Sequence, residues 1–325
     1  MENLLLFIET KDNEPKKACL ELLSEAKRLK NEGKFKVHAV VMGKPSEDLK
    51  NKVRPYVDIL VGISDPVLEQ YTPEAFAAAL AAYAREITPQ LILSSATQVG
   101  RDFMPRVAVL FGAGIASDVT AVDWSRDPVK FVRPVYGGKV LSEVSFSSYP
   151  GVVTVRPNAF VKEEPGADIG DYAEKVVGVH ADQVKTKVLN ISEPTKGKMD
   201  LIEADIIVAG GRGLKSAENF AMLEELADVI GGAVGAARSV VDAKWRDQEE
   251  QVGKSGKTVS PKLYIAAGIS GAVHHIMGMD TSKVVVAINT DPNAIIFNYA
   301  DYGIVGDFAE VVPPMTEEFK KRLGR

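Results

Sequence analysis

The sequence is poor in the residues that would mark several common functions. Cys19 is the only cysteine among 325 residues, which excludes an internal disulfide and any cysteine-ligated metal or iron–sulfur cluster built by this chain alone. Basic residues are not in excess: 39 Lys and Arg stand against 44 Asp and Glu, a formal net charge of -5, and no run of either cation forms a nucleic-acid track. Long hydrophobic runs are also missing, so no segment reaches the roughly 18 uninterrupted apolar residues of a membrane-crossing helix. The short apolar stretch Leu4–Ile8 has neither a basic region before it nor a cleavage-like site after it. It reads as a strand rather than a signal peptide, and a cytoplasmic or matrix-like location is expected.

What is present is the texture of a globular chain, 46% hydrophobic and 26% charged, with enough apolar material for one large or two ordinary domains. Apolar runs at Leu4–Ile8, Val37–Val41, Ile59–Val61 and Leu91–Leu93 alternate with helical stretches at Lys16–Leu29 and Pro73–Glu86. That alternation predicts βαβ units and a parallel sheet. Thr72 is placed to cap the second helix, Pro73 suits its first turn and Glu74 its positive dipole end. A further helix is expected over Phe103–Phe111, and Cys19 is expected as a small apolar residue on the first.

From Ala116 to Val155 short β-rich pieces (Phe131–Val135, Val140–Val144, Val152–Val155) are punctuated by Gly137-Gly138 and Pro150-Gly151, a strand-and-turn extension of the first domain. The apolar period lapses between Ile191 and Met199, where a linker is placed, giving domains at 1–198 and 199–325. The second domain shows strands at Ile206–Ala209, Leu263–Ala267 and Val284–Ile288 and a helix near Glu218–Ile230. Three strand-then-glycine crossings point to a doubly wound α/β sheet with a ligand at the carboxyl ends of its strands.

Each candidate loop is ambiguous alone. Gly210-Gly211-Arg212-Gly213 could admit an anion to the backbone, with Arg212 adding charge, or could simply turn the chain. Arg238, after Gly235-Ala236-Ala237, could equally be a surface arginine paired with an acid. Gly253-Lys254-Ser255 is not a P-loop, because the upstream glycine and the leading strand are missing. Gly268-Ile269-Ser270-Gly271 forms another turn with a hydroxyl to offer. The adjacent His274 and His275 point about 100° apart on a helix and do not suit one shared metal. Asn289 and Asp307 could cap turns or helices, or bind adenosine groups. Taken together, glycine- or Asx-bearing loops at strand ends, two arginines and no nucleophile–His–Asp arrangement suggest a nucleotide-type cofactor that performs the chemistry itself.

Gly211-Arg212-Gly213-Leu214-Lys215, Ala233-Val234-Gly235-Ala236 with Arg238, Gln251-Val252-Gly253, Gly256-Lys257-Thr258-Val259, Leu263-Tyr264-Ile265-Ala266, Gly268-Ile269-Ser270-Gly271-Ala272, His275 and Asp301-Tyr302-Gly303-Ile304-Val305 stand in one order and spacing. In this string the chain resembles the alpha subunit of electron transfer flavoproteins. The resemblance is strong over about the last 120 residues and looser through Gly100-Arg101-Asp102, Arg133-Pro134 and Thr154-Val155-Arg156-Pro157.

The resemblance implies a heterodimer with a beta subunit, and one FAD held mainly by the second domain. Arg212, Ser270 and Gly271 match positions near the FAD phosphates and ribityl chain, and Asn289 and Asp307 match positions near the adenosine half. Arg238 matches an arginine by the isoalloxazine ring, Ser255 a hydroxyl at flavin N5, His275 a donor to the carbonyl at C2, and Gln251 a polar contact in the same pocket. Gly253, Lys254, Ala272, Val273, His274 and Phe308 accompany them. Ala237, Lys254 and His274 depart from the residues common in relatives. The function implied is electron carriage from acyl-CoA dehydrogenases or similar flavoenzymes, as in fatty acid beta-oxidation, to a quinone- or ferredoxin-linked acceptor. The alternatives are an electron-bifurcating complex using NADH through its beta subunit, a nicotinamide-dependent dehydrogenase, or a non-redox nucleotide-binding module.

Overall fold

The computed structural model describes residues 2–179, 182, 184–191 and 199–324, so most of the expected linker, Ser192 to Lys198, lies outside the described residues. The chain divides into two compact units, 1–192 and 193–325.

In the first unit β1 (Glu2–Phe7) is followed by a small antiparallel ribbon, β2 (Thr10–Lys11) and β3 (Glu14–Pro15), then α1 (Lys17–Asn31), β4 (Phe35–Met42), α2 (Glu47–Val53) and β5 (Ile59–Ile63). The chain continues through α3 (Pro73–Ile87), β6 (Leu91–Ser95), α4 (Gln98–Phe111) and β7 (Ile115–Val119). Next come β8 (Ala121–Asp123), β9 (Lys130–Val135), β10 (Val140–Val144), β11 (Gly151–Val155) and β12 (Asp171–Lys175). Among the described residues the main sheet has the order β12-β5-β4-β1-β6-β11-β7, parallel throughout. Its inner strands are apolar runs because both faces are covered: Leu4, Leu6 and Ile8 pack with α1 and α2, whereas Leu5 and Phe7 pack with α3 and α4.

Three expectations are corrected here. Val152–Val155 is not part of a strand-and-turn extension; as β11 it runs between β6 and β7, fully buried, while β8 to β10 form a separate antiparallel sheet. The Thr72 side chain makes no capping hydrogen bond to α3. α4 starts five residues before the expected Phe103, because Thr97 Oγ1 accepts the Gly100 N–H and caps it there. Cys19 is buried on α1, as expected.

The second unit runs β13 (Ile206–Gly210), α5 (Phe220–Ile230), β14 (Ala233–Ala236), α6 (Arg238–Asp242), β15 (Leu263–Ala267), α7 (Val273–Ile276), β16 (Val285–Asn289), β17 (Tyr302–Val305) and α8 (Phe308–Leu323). The five-stranded parallel sheet has the order β14-β13-β15-β16-β17. Val208, Ile265 and Ile288 face α5 and α8, and Ile207, Tyr264 and Ala287 face a core closed by Val252, Ile276 and Ile296. In a 2-1-3-4-5 order the chain leaves β13 toward one edge and then returns past it. The connections after β13 and β15 therefore lead to opposite faces of the sheet, α5 on one and α7 on the other, and a crevice opens at the strand ends.

Candidate functional site

A cleft of about 540 Å³ opens at that switch point. Its floor is made where two turns touch. The Gly211 N–H donates to the Ala267 carbonyl at 2.9 Å and the Gly213 N–H to the Gly268 carbonyl at 2.9 Å. A Cβ at Gly211 would lie 2.2 Å from the Gly268 oxygen, and Gly268 itself has φ +62°. Only glycine lets the two backbones meet at this distance, and the meeting leaves Arg212 exposed at the rim.

One wall is the segment 251–257. The Val252 N–H donates to the Ala236 carbonyl, joining the segment to the end of β14, and the Lys257 N–H donates to the Gln251 carbonyl at 2.7 Å. The Lys254 N–H donates to the His274 carbonyl at 2.8 Å, tying the wall to α7. Gly278 packs so closely that a Cβ there would sit 2.4 Å from the Gly253 Cα. The Gln251 side chain is 2% exposed, and its Nε2 donates to Ser255 Oγ at 3.0 Å.

His275 is buried beside this wall. Its Nε2 lies 2.9 Å from the Tyr264 hydroxyl, and Nδ1 is enclosed without a hydrogen bond. Burial pushes its pKa down to about 4; the Val252 backbone acts in the opposite sense and more weakly, without regular hydrogen-bond geometry to Nδ1. The imidazole is neutral at pH 7.

The cleft joins ten of the residues singled out by sequence: Arg212, Arg238, Gln251, Gly253, Ser255, Ser270, Ala272, His274, His275 and Asn289. Asn289 spends its amide on the protein, donating from Nδ2 to the Ile269 carbonyl and accepting the Asp291 N–H at Oδ1. Arg238 Nε lies 3.4 Å from Asp242 Oδ2, with both side chains 64% exposed. Lys254, Gly271, Val273, Asp307 and Phe308 are not among the lining residues. Phe308 packs in the core with α5, for the apolar ring is better buried there than at a wet rim. Asp307 caps α8 through the Ala309 N–H and pairs with Lys215 at 2.8 Å, contacts that hold its carboxyl below the usual carboxylate range. Gly271 lies beneath the turn, where a Cβ would meet Ile296 N at 2.3 Å.

Sequence reading missed Asp242, Ser239 and Ala294, which also line the cleft. Asp242 had a usable signal, standing four residues after Arg238 on a helix and hence on the same face. His274 is exposed and His275 buried, and no group of metal-ligating side chains occurs among the described residues.

Residues 4–183 match the family model described as the electron transfer flavoprotein domain, and residues 200–280 match the electron transfer flavoprotein FAD-binding domain. The chain is 40% identical to the electron transfer flavoprotein subunit alpha of Thermoanaerobacterium thermosaccharolyticum, covering 98% of each chain. It is 37% identical to that of Bacillus subtilis, covering 98% of each. It is 40% identical to the protein FixB of Azotobacter vinelandii, over 94% of this chain and 87% of that one.

Proposed function

Since the chain belongs to the electron transfer flavoprotein family as an alpha subunit, we propose that its second unit holds FAD in the cleft at the β13/β15 switch point. The observation that carries this reading is the contact of the Gly211–Gly213 and Gly268 turns, which brings bare backbone and Arg212 to one crevice. A cleft of this size at the carboxyl ends of parallel strands suits a nucleotide-type cofactor. Bound FAD supplies electron acceptance and release, and the protein supplies placement and electrostatics.

In this reading Arg212 and Ser270 hold the phosphate and ribityl portion, and Asn289 keeps the β15 and β16 loops at a fixed separation for the adenosine half. Ser255 gives a hydroxyl to the ring and Arg238 places positive charge beside it. Residues 1–198 pack against a beta subunit. The pair works as an electron carrier rather than an enzyme, taking electrons from acyl-CoA dehydrogenase-type flavoenzymes in the cytoplasm and delivering them to a quinone- or ferredoxin-linked acceptor. None of the described helices is long and apolar enough to cross a membrane.

The test is an absorption spectrum of the chain co-produced with its beta subunit and purified by gel filtration. Oxidised flavin absorbing in the blue region is expected in about equal amount to the protein. A colourless dimer that binds a nicotinamide nucleotide would replace this reading by the dehydrogenase one. The chain produced alone is expected to lose FAD, so stoichiometric flavin on a monomer would remove the beta subunit from the account.

A further inference from the structure

The wall segment 251–257 carries a polar pair whose direction has a chemical consequence. Gln251 is held by its backbone on both sides: its N–H donates to the Gln248 carbonyl, its carbonyl accepts the Lys257 N–H, and it bridges to Ala236 at the end of β14. The base of the side chain is therefore fixed. Its amide is buried, and the hydrogen bond runs from Nε2 to the exposed Ser255 Oγ. The return of the segment is equally constrained, since a Cβ at Gly256 would lie 2.3 Å from the Gln251 oxygen.

A serine hydroxyl has one proton and two acceptor sites. An N–H arriving at the oxygen fills one acceptor site and cannot receive the hydroxyl proton. Were the carbonyl end of the amide turned to Ser255 instead, the hydroxyl would donate into the protein and offer the cleft only lone pairs. The orientation of one buried amide thus decides whether Ser255 meets a ligand as donor or acceptor.

We propose that Gln251 is a positioning residue that makes Ser255 a hydrogen-bond donor to the cleft, its buried amide N–H occupying the serine oxygen and turning the hydroxyl proton outward. The inference rests on the reading that a flavin lies in this cleft. It replaces the expected direct contact of Gln251 with an action through Ser255. Where a bound flavin would present to Ser255 an acceptor atom that gains electron density on reduction, a donor aimed at that atom would favour the reduced form. Gln251 then raises the reduction potential through Ser255. A residue that only clasps the loop would affect stability and leave the potential alone.

The test is a double-mutant cycle in the FAD-loaded heterodimer, with Gln251→Glu and Ser255→Ala, following the first midpoint potential by reductive titration. A carboxylate at 251 accepts the Ser255 proton and reverses the bond, but it also adds charge; the Ser255→Ala background measures that charge effect alone. The potential is expected to fall further on Gln251→Glu when Ser255 is present than when it is absent. The difference should be about the size of the Ser255→Ala shift itself. Should the glutamate variant fail to fold, the neutral Gln251→Leu serves: a downward shift is expected with Ser255 present and none in the Ser255→Ala background. Equal shifts in both backgrounds, or no shift on Ser255→Ala, overturn the proposal.

A second readout does not depend on the flavin. In the FAD-free heterodimer, Ser255→Ala should move the Gln251 side-chain amide resonances and speed their hydrogen exchange. Unmoved resonances overturn the pair, whereas a wild-type dimer that takes up no FAD but shows the amide response removes the reading of the cleft and leaves the pair in place.

Discussion

The hydroxyl of Tyr264 lies 2.9 Å from Nε2 of His275, a buried contact joining the middle of β15 to α7 behind the cleft wall. Tyr264 is fully buried, and its ionisation is pushed far up by that burial, so its hydroxyl acts only as a neutral hydrogen-bonding group. Tyr264→Phe keeps the ring and strands the imidazole with both nitrogens unpaired. An unsatisfied buried polar group costs about 1–3 kcal/mol. The expected outcome is a loss of that size in chemical denaturation of the second unit, with weaker FAD retention; an unchanged midpoint would show that the contact contributes nothing.

The same histidine gives the protein a pH dependence whose sign is fixed. Its pKa of about 4 in the fold lies below the ordinary value of about 6.5, so the unfolded chain takes up its proton first. Above about pH 6.5 the buried ring carries no penalty, and as pH falls toward 4 the fold loses stability, in total up to about 3 kcal/mol. His38 in the first unit is also lowered to about 4, chiefly by burial, and adds a step of the same sign. Urea midpoints from pH 7 to 4.5 are expected to fall, and His275→Gln should flatten the part belonging to the second unit. A slope identical to wild type would reassign it to other groups.

Arg238 is paired with Asp242 at 3.4 Å, and the opposite charge offsets part of its influence. A unit charge at about 4 Å contributes on the order of 1 kcal/mol in a water-like dielectric, against roughly 4 at an effective dielectric of 20. With the opposite charge of Asp242 offsetting part of it, the net effect belongs near the lower figure, roughly 40 mV for a one-electron step. Arg238→Ala is expected to lower the first flavin potential by tens of millivolts. Asp242→Asn should raise it by a smaller amount, and Arg238→Lys should retain part of the wild-type value. These shifts are read in a spectroelectrochemical titration at two ionic strengths, since screening must shrink them. Potentials indifferent to all three substitutions would place Arg238 away from the ring.

Gly278 does not line the cleft, yet it should matter to it. Its added Cβ would stand 2.4 Å from Gly253 Cα and 2.4 Å from Gly253 N, and no flexible side chain is there to yield. Gly278→Ala is expected to displace the segment that carries Ser255, lowering FAD affinity by tenfold or more, whereas Gly231→Ala, with nothing within 4 Å of its added Cβ but a φ of +69°, should cost only backbone strain of about 1–2 kcal/mol and leave affinity alone. Equal FAD dissociation constants in the Gly278 variant and wild type would contradict the close packing of these two turns.

How far the residues could be read in advance followed the reach of each interaction. Leu263–Ala267 appears as a strand with the expected ends, because an apolar run closed by glycine is a local signal. The polar edge strand β12 was not legible, since Asp171–Lys175 owes its pairing to β5 and has no apolar pattern of its own. Val152–Val155 was visible as a strand but not as a central one, because strand order is set by which neighbour completes the hydrogen-bond ladder, a non-local choice. Thr97 outcompeted the expected boundary at Phe103 through a single side-chain acceptor, and Thr72 did not act as a cap although its residue type suits one.

For the site, sequence alone determined the chemical inventory: glycine turns at strand ends, two arginines, two serines and two adjacent histidines. It also determined the alternation of strand and helix that makes a doubly wound sheet, since the burial of both sheet faces is written in residue order. Only the tertiary structure decided which of those groups share a cleft. It sent Phe308 to the core and committed Asp307 to Lys215, 92 positions away in sequence. It also engaged His275 with Tyr264. The reason is physical: a side chain's type fixes what bonds it can make, but the partner it finds depends on distances created by the folding back of segments far apart in sequence, and a buried polar group takes whichever partner the packing leaves within reach.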